Sequence, residues 1–248
     1  MISKSKIKLL QSLKQLKFRK LHGKFIAEGS INVSDFLRGS LVVNEVYGTA
    51  DWIDNHKDLL QGVMAEVVTA SELQKISALT NPSEVIAVIE KPAFNLPDLA
   101  EVNQYILALD DLRDPGNLGT IIRTADWFGI QDIICSEETV DAFNPKVVQA
   151  TMGSLARVRI HYTSLADYFK TKPADLKVFG ATLTGTSIET ISKPEKGILL
   201  VGSEAHGISK TLYPFIDQQI RIPSGKNSGA ESLNAAVAAA LVCYEFSH

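Results

Sequence analysis

The stretch YILALDDLRDPGNLGTIIRTADWFG, residues Tyr105–Gly129, contains an apolar strand, a polar turn and an amphipathic helix in that order. Arg123 lies almost opposite the apolar face of the predicted helix, and Trp127 follows one turn later on the same side. The residues of the apolar face recur at helical spacing: Leu118, Ile121, Ile122, Ala125 and Phe128. This order predicts an α/β unit, but packing onto one core does not explain the side that carries the arginine and the tryptophan.

The same alternation of strands and helices continues along the chain and predicts two α/β domains. We place a small first domain at residues 1–92, a proline-containing linker at 93–103 and a second domain at 104–248. The predicted strands of the second domain are YILALD, DIICS, ARVRIHY, LKVFGAT, GILLVG and QIRIP. Continuous apolar strands separated by helices predict a largely parallel sheet with helices on both faces.

Composition and residue spacing argue against a membrane protein, a secreted protein and a metal-binding protein. The chain has 248 residues, of which 45% are hydrophobic and 21% are charged, with a formal charge of −3. These values are ordinary for a globular protein. We expect a cytoplasmic protein without a membrane segment, because no apolar stretch is long enough to span a bilayer and the N-terminus lacks signal-peptide features. The histidines show no metal-ligand spacing, so no metal is expected.

The first 24 residues are strongly basic. Eight cations precede the first acidic residue, Glu28: Lys4, Lys6, Lys8, Lys14, Lys17, Arg19, Lys20 and Lys24. Such a segment is either an ordinary solvated helix or a surface that attracts phosphates, and charge alone does not decide between them. On the second interpretation, Lys17, Arg19, Lys20 and Lys24 are the candidate RNA-binding residues.

Three polar, glycine-containing clusters follow predicted strands of the second domain: DDLRDPGNLG, GSEAHGIS and PSGKNSGAESLN. One such cluster is often a simple turn, but the carboxyl ends of parallel strands meet at one edge of a sheet, where ligands bind. Dinucleotide, phosphate-loop and GxSxG signatures are absent. Loops that use backbone groups at close range would suit an adenosine with an amino-acid moiety.

The segments RDPGNLGTIIRTADWFGI, LLVGSEAHGIS and IRIPSGKNSGAESLNAAVAAAL resemble the three motifs of the SpoU (TrmH-like) RNA 2′-O-ribose methyltransferases, of the SPOUT superfamily, in order and spacing. KFRKLHGKFIAEG resembles the start of that family's substrate-binding domain. The resemblance implies a deep trefoil knot in the second domain, S-adenosylmethionine as cofactor and a homodimer formed through that domain. We expect Trp127 and the apolar final segment, Ser232–Phe246, to lie in or near the dimer interface.

The resemblance also implies roles for five residues. Arg123 matches the arginine of the first motif, which has been assigned in members of the family as the base that takes the 2′-hydroxyl proton. A guanidinium rarely gives up its own proton, so holding a phosphate and stabilising an alkoxide are physically easier. Asn117 would orient this centre or cap its own helix. Glu204 would fix Asn117 or Arg123. Ser232 and Asn234 would approach the same centre, although Ser232 could instead cap the last helix.

Cofactor contacts in the family are mainly through the backbone. They correspond here to Thr182, Leu183, Gly202, Ile222 and Leu233. A side chain at Gly202 is expected to enter the space of the cofactor.

The function implied is methyl transfer from S-adenosylmethionine to a ribose 2′-hydroxyl in structured rRNA or tRNA. Two alternatives stay open: a catalytically inactive RNA-binding module with the same fold, and an unrelated nucleotide-dependent α/β enzyme. Binding of the cofactor without turnover would favour the first alternative, and binding of NAD or ATP would favour the second.

Overall fold

A computed structural model describes residues 2–247, which form two compact units. The first contains the residues up to Ala93 together with Asp141–Arg157, and the second contains Phe94–Val140 together with the chain from Val158 onward. This differs from the sequence expectation, which placed the whole of 104–248 in one domain. The segment Asp141–Arg157 contributes contacts to the first unit because Phe143 packs against Phe25, with ring centroids 4.8 Å apart.

The first unit is built on a mixed four-stranded sheet with the order β1-β4-β2-β3. All four strands expected from the sequence are present. The strands are β1 Lys24–Glu28, β2 Val43–Gly48, β3 Met64–Val67 and β4 Val85–Glu90. The helices are α1 Lys4–Ser12, α2 Leu16–His22, α3 Ser30–Arg38, α4 Ala50–Asn55, α5 Ala70–Ile76 and α7 Pro145–Thr151. Strand β4 lies in the middle of the sheet, and its residues Val85–Ile89 are buried.

The second unit is built on a parallel six-stranded sheet with the order β10-β8-β9-β5-β6-β7, which confirms the predicted fold class. The strands are β5 Tyr105–Leu109, β6 Asp132–Cys135, β7 Arg159–Tyr162, β8 Val178–Ser187, β9 Gly197–Val201 and β10 Gln218–Arg221. The helices are α6 Pro115–Trp127, α8 Leu165–Phe169 and α9 Ala235–Phe246. Because every ladder is parallel, the carboxyl ends of the strands share one edge of the sheet. The knot is a prediction that this strand order does not test.

Two helix beginnings differ from the expected alternatives. Helix α6 is capped by Asp114, whose side chain accepts a hydrogen bond from the Asn117 backbone, and Pro115 occupies its first turn. Helix α9 begins at Ala235, and its cap is Asn234. Neither Asn117 nor Ser232 therefore caps a helix, so the capping interpretations of these two residues were wrong.

Helix α9 packs against α6 and against strand β9. Its inward residues are buried, whereas Val237, Leu241 and Tyr244 are exposed. These three residues are spaced by four and three positions, so they form one apolar stripe on the helix. Trp127, at the end of α6, is 84% exposed. The second unit thus presents aromatic and aliphatic surface on both helices.

Within residues 2–247, no helix is both long and apolar enough to cross a bilayer.

Candidate active site

Asn117, Glu204 and Asn234 form a hydrogen-bond network at the carboxyl edge of the parallel sheet. The Asn117 side-chain amide donates to Glu204 Oε1 at 3.0 Å, and the Asn234 amide donates to the same oxygen at 2.5 Å and to Asn117 Oδ1 at 3.0 Å. The backbone N–H of Ala235 also donates to Glu204 Oε1, at 3.1 Å. One carboxylate oxygen therefore joins the three loops that follow β5, β9 and β10.

The loops after β5 and β9 are joined a second time by Asp110. This residue is buried at the end of β5, and its Oδ2 accepts a hydrogen bond of 2.6 Å from the Ser209 backbone. The next residue, Asp111, has a φ of 52°, an unusual conformation for a residue other than glycine. Its Oδ1 accepts a hydrogen bond from Arg113 at 2.8 Å. The polar turn of the opening segment is thus held in one specific shape.

Gly202 is needed for a reason that differs from the sequence expectation. A Cβ atom at this position would lie 2.2 Å from the carbonyl carbon and oxygen of Gly207. The loop folds back on itself, because Ser203 and Gly207 exchange backbone hydrogen bonds of 2.9 and 3.1 Å. A side chain would therefore collide with the protein backbone, which by itself accounts for the expected intolerance. That a side chain would also enter the space of the cofactor stays a prediction.

A cavity of about 840 Å³ opens beside this network. It lies within the range of small-molecule sites, which is roughly 300–1,000 Å³. All five residues expected to contact the cofactor line this cavity: Thr182, Leu183, Gly202, Ile222 and Leu233. Glu204 and Ser232 line it as well. Residues far apart in the sequence thus converge on one cavity.

One wall of the cavity is a detour in β8. Strand β10 pairs with Gly180 and, one residue later, with Thr186, so the five residues between them lie opposite a single step of the neighbouring strand. Ala181 through Thr184 line the cavity. Thr182 Oγ1 is buried and has no hydrogen-bond partner among the described residues. An unpaired buried hydroxyl in a cavity wall fits a polar ligand such as an adenosine with an amino-acid tail.

Arg123 lies on the exposed side of α6. Among the described residues it forms no ion pair and no side-chain hydrogen bond, and Glu204 contacts Asn117 instead. Arg123 follows Asn117 by six positions, which places the two residues about 120° apart around the helix and about 9 Å apart along it. The arginine is therefore available to an external anion, and the network fixes the beginning of its helix.

Ser232 is exposed and lines the cavity, without a side-chain hydrogen bond to a described residue. The structure thus brings four of the five candidate catalytic residues to the network or the cavity and leaves Arg123 on the adjacent helix surface. No group of three or more potential metal-ligating side chains occurs in residues 2–247.

Arg19 is a correction to the predicted RNA-binding set. It is 2% exposed, and its guanidinium contacts Asp141 Oδ2 at 2.7 and 2.8 Å and the carbonyls of Leu13 and Lys14 at 2.9 Å. All of these partners belong to the first unit. A buried, fully partnered guanidinium cannot reach RNA, so Arg19 has a structural role.

The other N-terminal cations lie in different environments. Lys6 pairs with Glu45 at 2.7 Å, and Lys14 donates to the Ser77 carbonyl. Lys17 and Lys20 are exposed on α2 and form no ion pair with a described residue, while Lys24 is half-buried. The basic segment is therefore only partly available to phosphate.

Sequence reasoning missed Asp110, Arg221 and the role of Asp114. Arg221 lines the cavity, and its Nε donates to the Gly185 carbonyl at 3.3 Å. An acidic residue directly after an apolar strand, and an aspartate directly before a proline, were signals present in the sequence. No sequence signal distinguished Arg221.

The fold and the site define a class: an α/β protein that holds a cavity and a polar network at the carboxyl edge of a parallel sheet. The chain belongs to the SpoU rRNA methylase family, which matches residues 104–244. Residues 4–87 match the MRM3-like substrate-binding domain. The family resemblance drawn from the motifs is thus confirmed.

Individual relatives agree with this assignment. The chain is 31% identical to a 23S rRNA (guanosine(2553)-2′-O)-methyltransferase, RlmP, of Bacillus subtilis, over 96% of this chain and 98% of that one. A TrmH-family structure from Porphyromonas gingivalis is 36% identical, with a TM-score of 0.86, and covers 99% and 98% of the two chains. An AdoMet-bound rRNA methyltransferase from Sinorhizobium meliloti is 30% identical, with a TM-score of 0.87, over 99% and 96%.

Proposed function

We propose that the protein transfers a methyl group from S-adenosylmethionine to a ribose 2′-hydroxyl of ribosomal RNA. The observation that carries this proposal is the convergence of the five cofactor candidates on one cavity beside the Asn117–Glu204–Asn234 network. The S. meliloti relative binds AdoMet, and the B. subtilis relative is named for 23S rRNA. A 23S rRNA ribose is therefore the first substrate to test.

S-adenosylmethionine supplies an electrophilic methyl group on a sulfonium centre. The residues Thr182, Leu183, Gly202, Ile222 and Leu233 would hold it through the cavity wall. The network keeps the loops after β5, β9 and β10 in fixed positions, which aligns the cavity with the incoming ribose and limits the access of water. Ser232 and Asn234 belong to the loop after β10, which borders both the cavity and the hydrogen-bond network.

Arg123 is the proposed cation for the RNA. Its guanidinium has donors in a fixed fork, suited to a phosphate oxygen beside the target ribose. It also stabilises negative charge on the 2′-oxygen as the bond to the methyl carbon forms, the methyl–sulfur bond breaks to leave S-adenosylhomocysteine, and the hydroxyl proton passes to water. A guanidinium keeps its own proton in proteins, so this electrostatic role needs no deprotonation of Arg123.

RNA capture is assigned to the first unit, which matches a substrate-binding domain. Lys17 and Lys20 are its exposed cations on α2, and Lys24 supports them from the start of β1. We place the proposed reaction in the cytoplasm, on the basis of bacterial relatives such as the B. subtilis methyltransferase.

We also propose a homodimer formed through the second unit. Its support is the exposed Trp127 together with the apolar stripe of Val237, Leu241 and Tyr244 on α9. A permanent dimer buries on the order of 2,000 Å² or more around an apolar centre. Light scattering at micromolar concentration is expected to give twice the chain mass of 27.0 kDa, and a monomer would contradict this proposal.

The decisive experiment for the activity uses methyl-labelled S-adenosylmethionine with three RNAs: naked 23S rRNA, assembled large subunits and total tRNA. We expect label in a 2′-O-methylated nucleotide of rRNA after digestion. Calorimetry with S-adenosylhomocysteine runs in parallel. Binding of this product without label in any RNA would favour the inactive RNA-binding module, and binding of NAD or ATP in its place would favour an unrelated enzyme.

A further inference from the structure

Arg221 is the only lysine or arginine among the described residues that line the cavity. It is half-buried at the end of β10, and it forms no ion pair with a described acidic residue. Glu204, one of the two cavity carboxylates, already accepts three hydrogen bonds from the network and the start of α9. Arg221 is therefore a cavity cation without an ion-pair partner among the described residues.

The guanidinium of Arg221 is also held in place. Its Nε donates to the carbonyl of Gly185 at 3.3 Å, at the end of the β8 detour. Both terminal nitrogens have no hydrogen-bond partner among the described residues. Gly185 itself lies so close to β10 that a Cβ atom there would be 2.5 Å from the Gln219 carbonyl. The arginine thus joins β10 to the wall that carries Thr182 and Leu183, with a fixed orientation.

We propose that Arg221 binds the α-carboxylate of the cofactor's amino-acid moiety. This inference rests on the proposed function. S-adenosylmethionine carries one carboxylate, and a cavity that takes it needs a cation or several backbone donors for that group. The two terminal nitrogens of a guanidinium match the two oxygens of a carboxylate, and the bond to Gly185 removes part of the entropic cost of holding the side chain.

The test combines a change in the protein with a change in the ligand. S-adenosylhomocysteine is compared by calorimetry with its decarboxylated form, S-adenosyl-3-thiopropylamine, which keeps the amine and lacks only the carboxylate. The wild type is expected to bind the complete ligand about ten- to hundredfold more tightly. Arg221→Gln is expected to lose this preference, because it weakens binding of the carboxylate ligand and leaves the affinity for the decarboxylated ligand within about twofold.

Arg221→Lys keeps the charge without the fork and is expected to keep part of the preference. Lys177→Gln, which removes a half-exposed cation of the same unit outside the cavity, is the matched control and is expected to change neither affinity. If Arg221→Gln does not fold, the preference of the wild type and of Arg221→Lys still tests the proposal.

Equal weakening of both ligands by Arg221→Gln would mean that Arg221 only supports the cavity wall, and the proposal would be wrong. Unchanged affinity for both ligands, or a loss of RNA affinity alone, would also overturn it and would assign the cation to another anion. Failure of the wild type to bind S-adenosylhomocysteine at all would contradict the proposed function itself, which is a distinguishable result.

Discussion

Arg19 and Arg123 are two arginines of the same chain in opposite environments. Arg19 lies in the first unit, is 2% exposed and has acceptors at four hydrogen-bonding contacts. Arg123 lies on the surface of α6 in the second unit and has no ion pair among the described residues. A cation can act on RNA only where the fold leaves its hydrogen-bond donors unused.

The largest effect is expected for Arg19→Met. This change leaves the Asp141 carboxylate, whose side chain is 12% exposed, without its cation. Breaking a buried pair by removing one partner costs about 3–5 kcal/mol of unfolding free energy. Urea unfolding followed by Trp52 fluorescence measures it, because Trp52 is buried in the first unit and becomes the only tryptophan in a Trp127→Phe background.

Two further variants isolate the cause. Arg19→Met combined with Asp141→Leu is expected to recover most of the lost stability, since no unpaired charge is left buried. Arg123→Met in the same background is expected to leave the unfolding curve unchanged. A similar loss for Arg19→Met and Arg123→Met would remove the distinction between the two arginines.

The second-largest effect is expected on the rate of methyl transfer, when Arg123 is replaced. Arg123→Ala removes the proposed cation from the reacting ribose and is expected to lower kcat by about 10² to 10³, the usual cost of one oxyanion-stabilising donor. The affinity for S-adenosylhomocysteine is expected to stay within about twofold, because Arg123 does not line the cavity. Single-turnover methylation with saturating RNA measures the rate. Retention of most of the activity would show that Arg123 is an ordinary surface arginine without a role in catalysis.

The two arginines also show what the sequence could predict. The resemblance of the three motifs to the SpoU family implied that Asn117, Glu204 and Asn234 lie around one centre, and the structure joins them by hydrogen bonds. All ten strands could be placed from their apolar runs. Arg19 could not be interpreted in this way, because its partner Asp141 is 122 residues away. Charge in a sequence does not report burial, and only the tertiary packing of Asp141–Arg157 with the first unit makes this cation unavailable.

Asp132 is a buried carboxylate that is also partnered, by Arg159 and His161, and this makes its contribution to stability depend on pH. Burial alone would raise the pKa of this carboxyl, but the guanidinium of Arg159 and the hydrogen bond with His161 outweigh it and lower the pKa from 3.8 to about 2. A lowered pKa in the folded state stabilises the protein above pH 3.8, and this stabilisation is lost as the pH falls towards 2. Its full value is about 2 kcal/mol.

The measurement compares the pH dependence of urea unfolding for the wild type and Asp132→Asn. The difference in unfolding free energy between the two proteins is expected to be constant above about pH 5 and to shrink as the pH falls from 3.8 towards 2. Asp167→Asn is a control, because the ion pair of Asp167 with Lys170 is exposed, so its removal is expected to have a small effect. Parallel curves throughout would show that the buried pair does not couple to stability.

The smallest expected effect concerns RNA affinity, and it uses Lys17→Ala with Lys20→Ala while Arg19 is left intact. Both lysines are exposed on α2 without a described acidic partner, so each is free to neutralise one phosphate. Each neutralised phosphate contributes roughly 0.7 to 0.9 to the salt dependence of binding. The slope of log affinity against log salt concentration is therefore expected to fall by about 1.4 to 1.8, which fluorescence anisotropy with a labelled rRNA fragment measures.

Lys57→Ala is the matched control, because Lys57 is also exposed in the first unit but is paired with Asp54 at 3.0 Å. A lysine whose charge is already balanced by a carboxylate releases fewer counterions when RNA binds, so its loss is expected to change the slope less. The double variant is also expected to keep the wild-type affinity for S-adenosylhomocysteine and to recover kcat at saturating RNA, since Arg123 is unchanged. An unchanged salt slope would show that free donors on α2 are not sufficient for RNA contact, and that the RNA-binding surface of the first unit lies on another face.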